Sequence, residues 1–195
     1  CEAFYALGAP TRLRLRTEVL AGTWEALTSG QADLAIGVPG DTVTTPGIEV
    51  RPLGEMEFVF AVAPHHPLAS FEGPIDDAEL LRHRAVAVAD SAQRHSPLTF
   101  NLLPGQDVLT VPSMQTKIEA QLRCLGCGFV PEPLAREHIA AGRLVVKDVA
   151  RRRHLAHFGY AWRSQSLPGP RKPQQGLALQ WWLRQLESPA TRQAL

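Results

Sequence analysis

Alternation is the first signal along the chain. In residues 11–19 (TRLRLRTEV), Leu13, Leu15, Thr17 and Val19 fall on one side, and Arg12, Arg14, Arg16 and Glu18 fall on the other. A period of two predicts a strand with one wet face. Thr23 is then placed to cap a short helix through Trp24, Ala26 and Leu27 that Gly30 stops, and ADLAIGV follows as an apolar strand. A helix between two strands predicts a parallel pair with a right-handed crossover, so an α/β sheet is the leading architecture.

After a turn-rich stretch over residues 39–47, IEVRPLG leads to EFVFAVAP, whose unbroken apolar run reads as a buried strand ended by Pro64 and Pro67. DDAELLRH is a short helix, AVAVAD a strand, residues 91–106 a polar loop, and VLTVP a strand entering a second helix at Ser113. In that helix Met114, Ile118, Leu122 and Leu125 make one apolar stripe, while Gln115, Lys117, Glu119 and Arg123 are expected to face away. FVPEPLAREHIAAGRLVV gives a strand, a turn, a short helix and another strand. HFGYAWR is one more strand, LPGPRKPQQG a loop, and LALQWWLRQLE a helix with Leu179, Trp182, Leu183 and Leu186 inward.

Composition narrows the functional classes. The chain has 195 residues, 45% of them apolar, which suits an ordered globular protein. Twenty Lys and Arg against nineteen Asp and Glu give a net charge of +1, so no large field of one sign marks the whole chain as a nucleic-acid or anionic-membrane binder. No apolar run approaches the roughly 18 residues of a membrane helix. Three cysteines, Cys1, Cys124 and Cys127, are too few for a disulfide framework and fit a reducing cytoplasm. No Gly-rich phosphate loop, G-x-S-x-G elbow or H-E-x-x-H is present, so nothing positive supports catalysis.

Several ordered motifs together resemble the effector-binding region of LysR-type transcriptional regulators: LTSGQADLAIG, RPLGEMEFVFAVAPHHPLA, VPSMQTKIEAQLRCLGCGFVPEPLA and GYAWR, with the tail WWLRQLESPATRQAL. The resemblance implies a type 2 periplasmic-binding-protein-like α/β fold: two Rossmann-like lobes joined by two crossing strands, near Val62 and near Phe158. Residues 1–62 with 158–195 would form lobe I, and residues 63–157 lobe II inserted within it. It further implies that the lobes close on a small-molecule effector, an organic acid or an aromatic, and that the change passes through a homodimer or tetramer to a winged helix-turn-helix. That module lies upstream of this region in the family, so DNA would be contacted only through it. No cofactor, metal, membrane or catalysis is implied, and the location is cytoplasmic. EAFYALGAP looks like the end of the family's first helix, so the opening strand and its polar loop would be missing. The alternative is a solute-binding receptor of a transport system, which shares the fold.

In such a fold the ligand lies where strand C-termini and helix N-termini of both lobes face a cleft, because free backbone N–H groups there attract anions. The candidate binding residues are Gly37, Val38 and Pro39, then Asp90 and Ser91, then Ser113, Met114 and Gln115, with Phe129 and Pro131 as an apolar wall. Ser113 serves as a helix cap alone or as a cap that also touches ligand. Asp90 would repel a simple carboxylate, so it points to solvent or meets a ligand donor. The C-x-x-C pair Cys124–Cys127 falls short of the four ligands a structural zinc takes. His65 and His66 are adjacent on an extended segment and point to opposite faces, and the basic run 151–154 reads as a solvated connector.

Overall fold

In the computed structural model, which describes residues 1–39, 45–94, 98–151, 154–164 and 176–193, the elements follow the chain as α1 (Glu2–Tyr5), α2 (Ala21–Thr28), β1 (Leu34–Pro39), β2 (Ile48–Val62), a 3-10 turn (Pro67–Ser70), α3 (Asp77–Leu80), β3 (Ala85–Val88), β4 (Val108–Val111), α4 (Met114–Leu122), β5 (Gly128–Pro131), α5 (Glu132–Ala140), β6 (Val145–Lys147), β7 (His154–Arg163), α6 (Leu177–Glu187) and α7 (Pro189–Gln193). The stretch LPGPRKPQQG up to its final glycine and most of the turn after Pro39 lie outside the described residues.

The sequence reads IEVRPLG and EFVFAVAP as successive segments; the structure runs them into one 15-residue strand. Two sets of partners make that length possible. The first part of β2 pairs antiparallel with β7, from Ile48↔Arg163 to Phe58↔His154, while its end pairs with β5 on one edge and with β6 on the other. A register shift between Pro52 and Gly54 takes up the proline, which has no N–H to give the ladder. β7 also pairs antiparallel with β1, giving the order β1-β7-β2-β5.

Side-chain alternation along β2 sorts the core into two regions, the first shared with β7. Around the first, Leu27, Ala35, Val38, Ile48 and Ala161 pack on one face, and Leu53, Tyr160, Trp162 and Leu186 on the other. Around the second, Phe60, Val62, Leu68, Ile75, Leu80, Cys127, Phe129 and Val149 oppose Ala61, Ile118, Val130, Ala135 and Leu144. Phe60 and Val62 point one way and Ala61 the other, as a period of two requires. Each large side chain buried in this way contributes about 1.5–3 kcal/mol. In the second region β3 and β4 are parallel, and a parallel bridge from Ala85 to Cys127 sets β5 beside β3. The β/α alternation read from the sequence is realised there.

It is not realised at the start of the chain. Residues 11–19 form no strand, and β1 has no parallel neighbour among the described residues. Alternation alone supplies no partner, and burial does not fix a register here: Leu15 is 78% exposed, and its arginine neighbours are exposed as well. Helix α2 begins at Ala21 rather than after a Thr23 cap, with Leu20 as N-cap and no side-chain cap of its own. Helix α4 ends at Leu122, so Leu125 leaves the stripe and is 45% exposed. In α6, Leu179, Leu183 and Leu186 join the Tyr160–Trp162 cluster, while Trp181 and Trp182 hold the buried ring of Phe4.

Candidate functional site

Helix α2 opens against the loop that follows β3. The carboxylate of Asp90 accepts hydrogen bonds from the backbone N–H groups of Ala21 (3.2 Å), Gly22 (3.1 Å), Ala92 (2.8 Å) and Leu98 (2.8 Å). Partial burial works to raise the pKa of Asp90, but these N–H groups outweigh it and hold the carboxyl below its ordinary value. Neither sequence expectation for Asp90 fits this geometry. The side chain is spent as a long-range cap on α2, supplying the acceptor that Leu20 cannot.

Ser91 strengthens the same junction. Its hydroxyl donates to the Glu18 carboxylate (2.7 Å) and accepts from the Val19 N–H (2.8 Å), while its own N–H donates to the Val19 carbonyl (3.3 Å). Glu25, only 8% exposed, accepts from the N–H groups of Gln93 (2.9 Å) and Arg94 (3.0 Å). Gly22 is required by closeness: a Cβ there would run into Ser91 Oγ and lie 2.7 Å from the Ser91 carbonyl carbon. Sequence reading missed Glu18 and Glu25, because their partners are about 70 residues away and no local pattern announces them.

The second candidate cluster lies on α4. Ser113 is its N-cap: the Thr116 N–H donates to Ser113 Oγ (3.1 Å), and the two hydroxyls are 2.9 Å apart. Met114 packs against the Ile118–Val130 core, and Gln115 is exposed. Phe129 and Pro131 are buried; the Phe129 ring meets Phe60 edge to face at 5.4 Å within the core, and Pro131 opens α5. At the end of β1, Val38 is fully buried, Gly37 forms a bulge against β7 with φ of +86°, and Pro39 is exposed. The structure thus joins Asp90 and Ser91 to α2, and leaves Ser113, Met114 and Gln115 around the start of α4.

Lys117 was expected on the outer face of α4 and is turned inward. Its Nζ lies 3.3 Å from where a Cβ would stand on Gly128, and the Gln121 Nε2 lies 3.4 Å from the same point, as does the Val86 carbonyl oxygen. With φ of +152° the position favours glycine, and a Cβ there would crowd both side chains. Burial lowers the Lys117 pKa to about 8, against a smaller opposing pull from Cys127, and burial pushes the Cys127 thiol up to about 11. Cys127 therefore stays protonated at neutral pH and gives the ammonium no counter-charge. Gln121 is fully buried; its Nε2 donates to the Gly128 carbonyl (2.9 Å), and its Oε1 has no hydrogen-bond partner among the described residues. The signal was present in the sequence: positions 114, 117, 118 and 121 share one helical face, so two polar residues sit inside the apolar stripe.

The remaining motifs take structural roles. His66 Nδ1 accepts the Leu68 N–H (3.1 Å), and burial, with the charges of His83 and His65, keeps its pKa low. Cys124 adopts φ of +60° just past α4, the left-handed position that glycine fills most easily. Arg151 makes two hydrogen bonds to Asp77, at 2.6 and 3.0 Å. A surface hollow of about 380 Å³ lies at the β2 register shift, lined by Pro52, Leu53, Gly54, Glu55, His157, Phe158 and Arg192. None of the candidate residues lines it, and Arg192 there donates to the carbonyls of Pro52 (2.7 Å) and Leu53 (2.8 Å). No helix among the described residues is long and apolar enough to cross a membrane.

Comparison with known proteins places these features in a lineage. The family model described as LysR substrate binding domain matches residues 1–189. The uncharacterized HTH-type transcriptional regulator YeeY of Escherichia coli K12 is 38% identical over 181 residues, which are 93% of this chain and 56% of that protein. The chain thus spans little more than half of that relative's length. Among solved structures, full-length LysG of Corynebacterium glutamicum with bound effector Arg superimposes with a TM-score of 0.61 at 21% identity, covering 97% of this chain and 60% of that one. The effector binding domain of QuiR in complex with shikimate superimposes with a TM-score of 0.54 at 19% identity, covering 75% of this chain and 69% of that one.

Proposed function

The chain belongs to the family of LysR substrate-binding domains, the effector-sensing part of LysR-type transcriptional regulators, and from that premise we propose that it binds a small organic acid or aromatic effector between two lobes and transmits the resulting movement without transforming the ligand. The transport-receptor reading is set aside, because the curated relatives are transcriptional regulators.

The observation that carries the proposal is the antiparallel pairing of β2 with β7. β2 contributes side chains to both core regions and is laddered to β7 from Ile48 to Phe58, and in this reading the pair is the hinge about which two bodies rotate. Residues 1–62 with 158–195 form one body, and residues 63–157 the other. The effector lies between Gly37, Val38 and Pro39 on the first and Ser113, Met114, Gln115, Phe129 and Pro131 on the second, with Asp90 and Ser91 closing the seam. An effector that favours one arrangement of the lobes shifts the population toward it by its differential affinity. The movement reaches DNA through the HTH part of a longer cytoplasmic protein acting as a homodimer or tetramer. Arginine and shikimate, the ligands named for LysG and QuiR, both carry a carboxylate and support an organic acid as the effector class.

The test is a thermal-shift screen of organic acids, arginine and shikimate included, followed by small-angle scattering of the intact protein with each binder. A binder is expected to raise the melting temperature, change the radius of gyration and be recovered chemically unchanged. Conversion of the binder into a product, or binding with no change in scattering, overturns the proposal.

A further inference from the structure

Resting on that reading, we infer that Lys117 and Gln121 form the effector's polar grip: the Lys117 ammonium takes a carboxylate oxygen, and Gln121 Oε1 accepts the hydrogen of a hydroxyl or N–H beside that carboxylate. The ligand class is therefore a carboxylic acid with an adjacent hydrogen-bond donor, of which 2-hydroxy acids are the simplest members.

Three observations lead there. First, polar groups inside a protein are normally satisfied, yet around one glycine meet a largely desolvated lysine ammonium with no counter-ion among the described residues and a buried amide oxygen with no donor among them. Second, the place is open. Gly128 is partly exposed although Cys127 and Phe129 on either side of it are 1% and 6% exposed. Lys117 is partly exposed as well, so the ammonium end of the pair borders solvent. Third, Lys117 stands one helical turn after the N-cap Ser113, so the grip adjoins the candidate residues at the start of α4.

The donor inventory sets the chemistry. An ammonium only donates, and Gln121 Oε1 only accepts. A lone carboxylate would satisfy the first and leave the second orphaned; a neutral amide would leave the ammonium without a charge. A carboxylate with a neighbouring hydroxyl or N–H satisfies both, and the hydrogen bonds to Lys117 are charge-assisted.

Lysine-selective carbon-13 NMR of the intact protein tests this directly, with the Lys117 resonance assigned by its loss in Lys117→Met. The probes are glycolate, which has carboxylate and hydroxyl, acetate, which lacks the hydroxyl, and glycolamide, which lacks the charge. Glycolate is expected to raise the Lys117 titration midpoint by about one pH unit or more, acetate by less, and glycolamide not at all. Gln121→Leu is expected to erase the advantage of glycolate over acetate while keeping the response to both. Lys117→Met should weaken glycolate binding roughly ten- to a hundredfold. A midpoint that glycolate and acetate move no further than matched sodium chloride overturns the grip. A metabolite that raises the melting temperature equally in wild type and Lys117→Met leaves effector sensing in place and removes Lys117 from it. A probe held at Lys117 without any lobe movement does the reverse.

Discussion

The junction between α2 and the loop after β3, and the contact of α4 with β5, are assembled from similar materials: a helix, a neighbouring strand end and a few polar or ionisable side chains. At the junction every donor and acceptor that the seam uses has a partner within the chain, with Asp90 alone taking four N–H groups. Under α4 the Lys117 ammonium has no counter-ion, and Gln121 Oε1 no donor, among the described residues. The difference teaches where binding capacity resides. A helix N-terminus attracts anions only while its N–H groups are free, and at α2 the chain has already supplied the anion. An unmet polar group costs stability in the folded state, and that cost is what a ligand of the right chemistry can relieve.

The largest test of this contrast is Lys117→Met. The folded pKa of about 8 lies below the ordinary 10.5, so the unfolded chain holds the proton more tightly than the folded one. The penalty is therefore fully present below pH 8, shrinks as pH rises from 8 to 10.5, and is gone above that range. Replacing the ammonium with a similar apolar chain is expected to stabilise the protein by on the order of 2–3 kcal/mol at pH 7. By pH 10.5 little of that gain should remain, measured by urea unfolding across the range. A loss of stability at pH 7 would mean that the ammonium has a partner, and the contrast would fail.

Asp90→Asn tests the opposite side. An amide cannot accept at both ends, so two backbone N–H groups lose their acceptor, and the cost is expected to be about 2 kcal/mol at neutral pH. The sign of its pH dependence is also opposite to that of Lys117. A carboxyl held below its ordinary pKa contributes stability above that ordinary value and loses it as pH falls through the depressed one. Wild type and Asp90→Asn should therefore converge in acid, which melting temperatures from pH 7 down to 2 would reveal. Equal stability at pH 7 would show that the junction is not closed by Asp90.

What the sequence made legible follows the range of the forces involved. α4, β5, α5 and β7 were readable because periodicity, a serine cap and a glycine-rich turn are local, and the ordered motifs conveyed the two-lobed family fold. The strand assigned to residues 11–19 failed because alternation describes one strand while a ladder needs two. The joining of two segments into β2 was hidden because its partner β7 lies some 100 residues further on. At the candidate site, Ser113 was recognised by its type and position. Asp90 was noticed as an acid out of place, but two of its four partners, the N–H groups of Ala21 and Gly22, lie almost 70 residues away in the chain. Lys117 was assigned outward by type and Gln121 was given no face; taking the positional pattern first would have placed both inward.

The smallest effect in this series separates capping from ligand contact at Ser113. Its hydroxyl satisfies the Thr116 N–H at the start of α4, so Ser113→Ala is expected to cost about 1 kcal/mol from the lost cap alone. Ser113→Asp restores an acceptor at the same position and should recover most of that stability, since aspartate caps helices as well as serine does. Binding then discriminates between the two roles. If Ser113 only caps, the aspartate variant binds glycolate like wild type; if the carboxylate of the ligand reaches the start of α4, a second carboxylate there repels it, and affinity falls below that of the alanine variant. Isothermal titration of the three proteins distinguishes these outcomes. The second is expected here, because Lys117 stands one turn from Ser113 on α4.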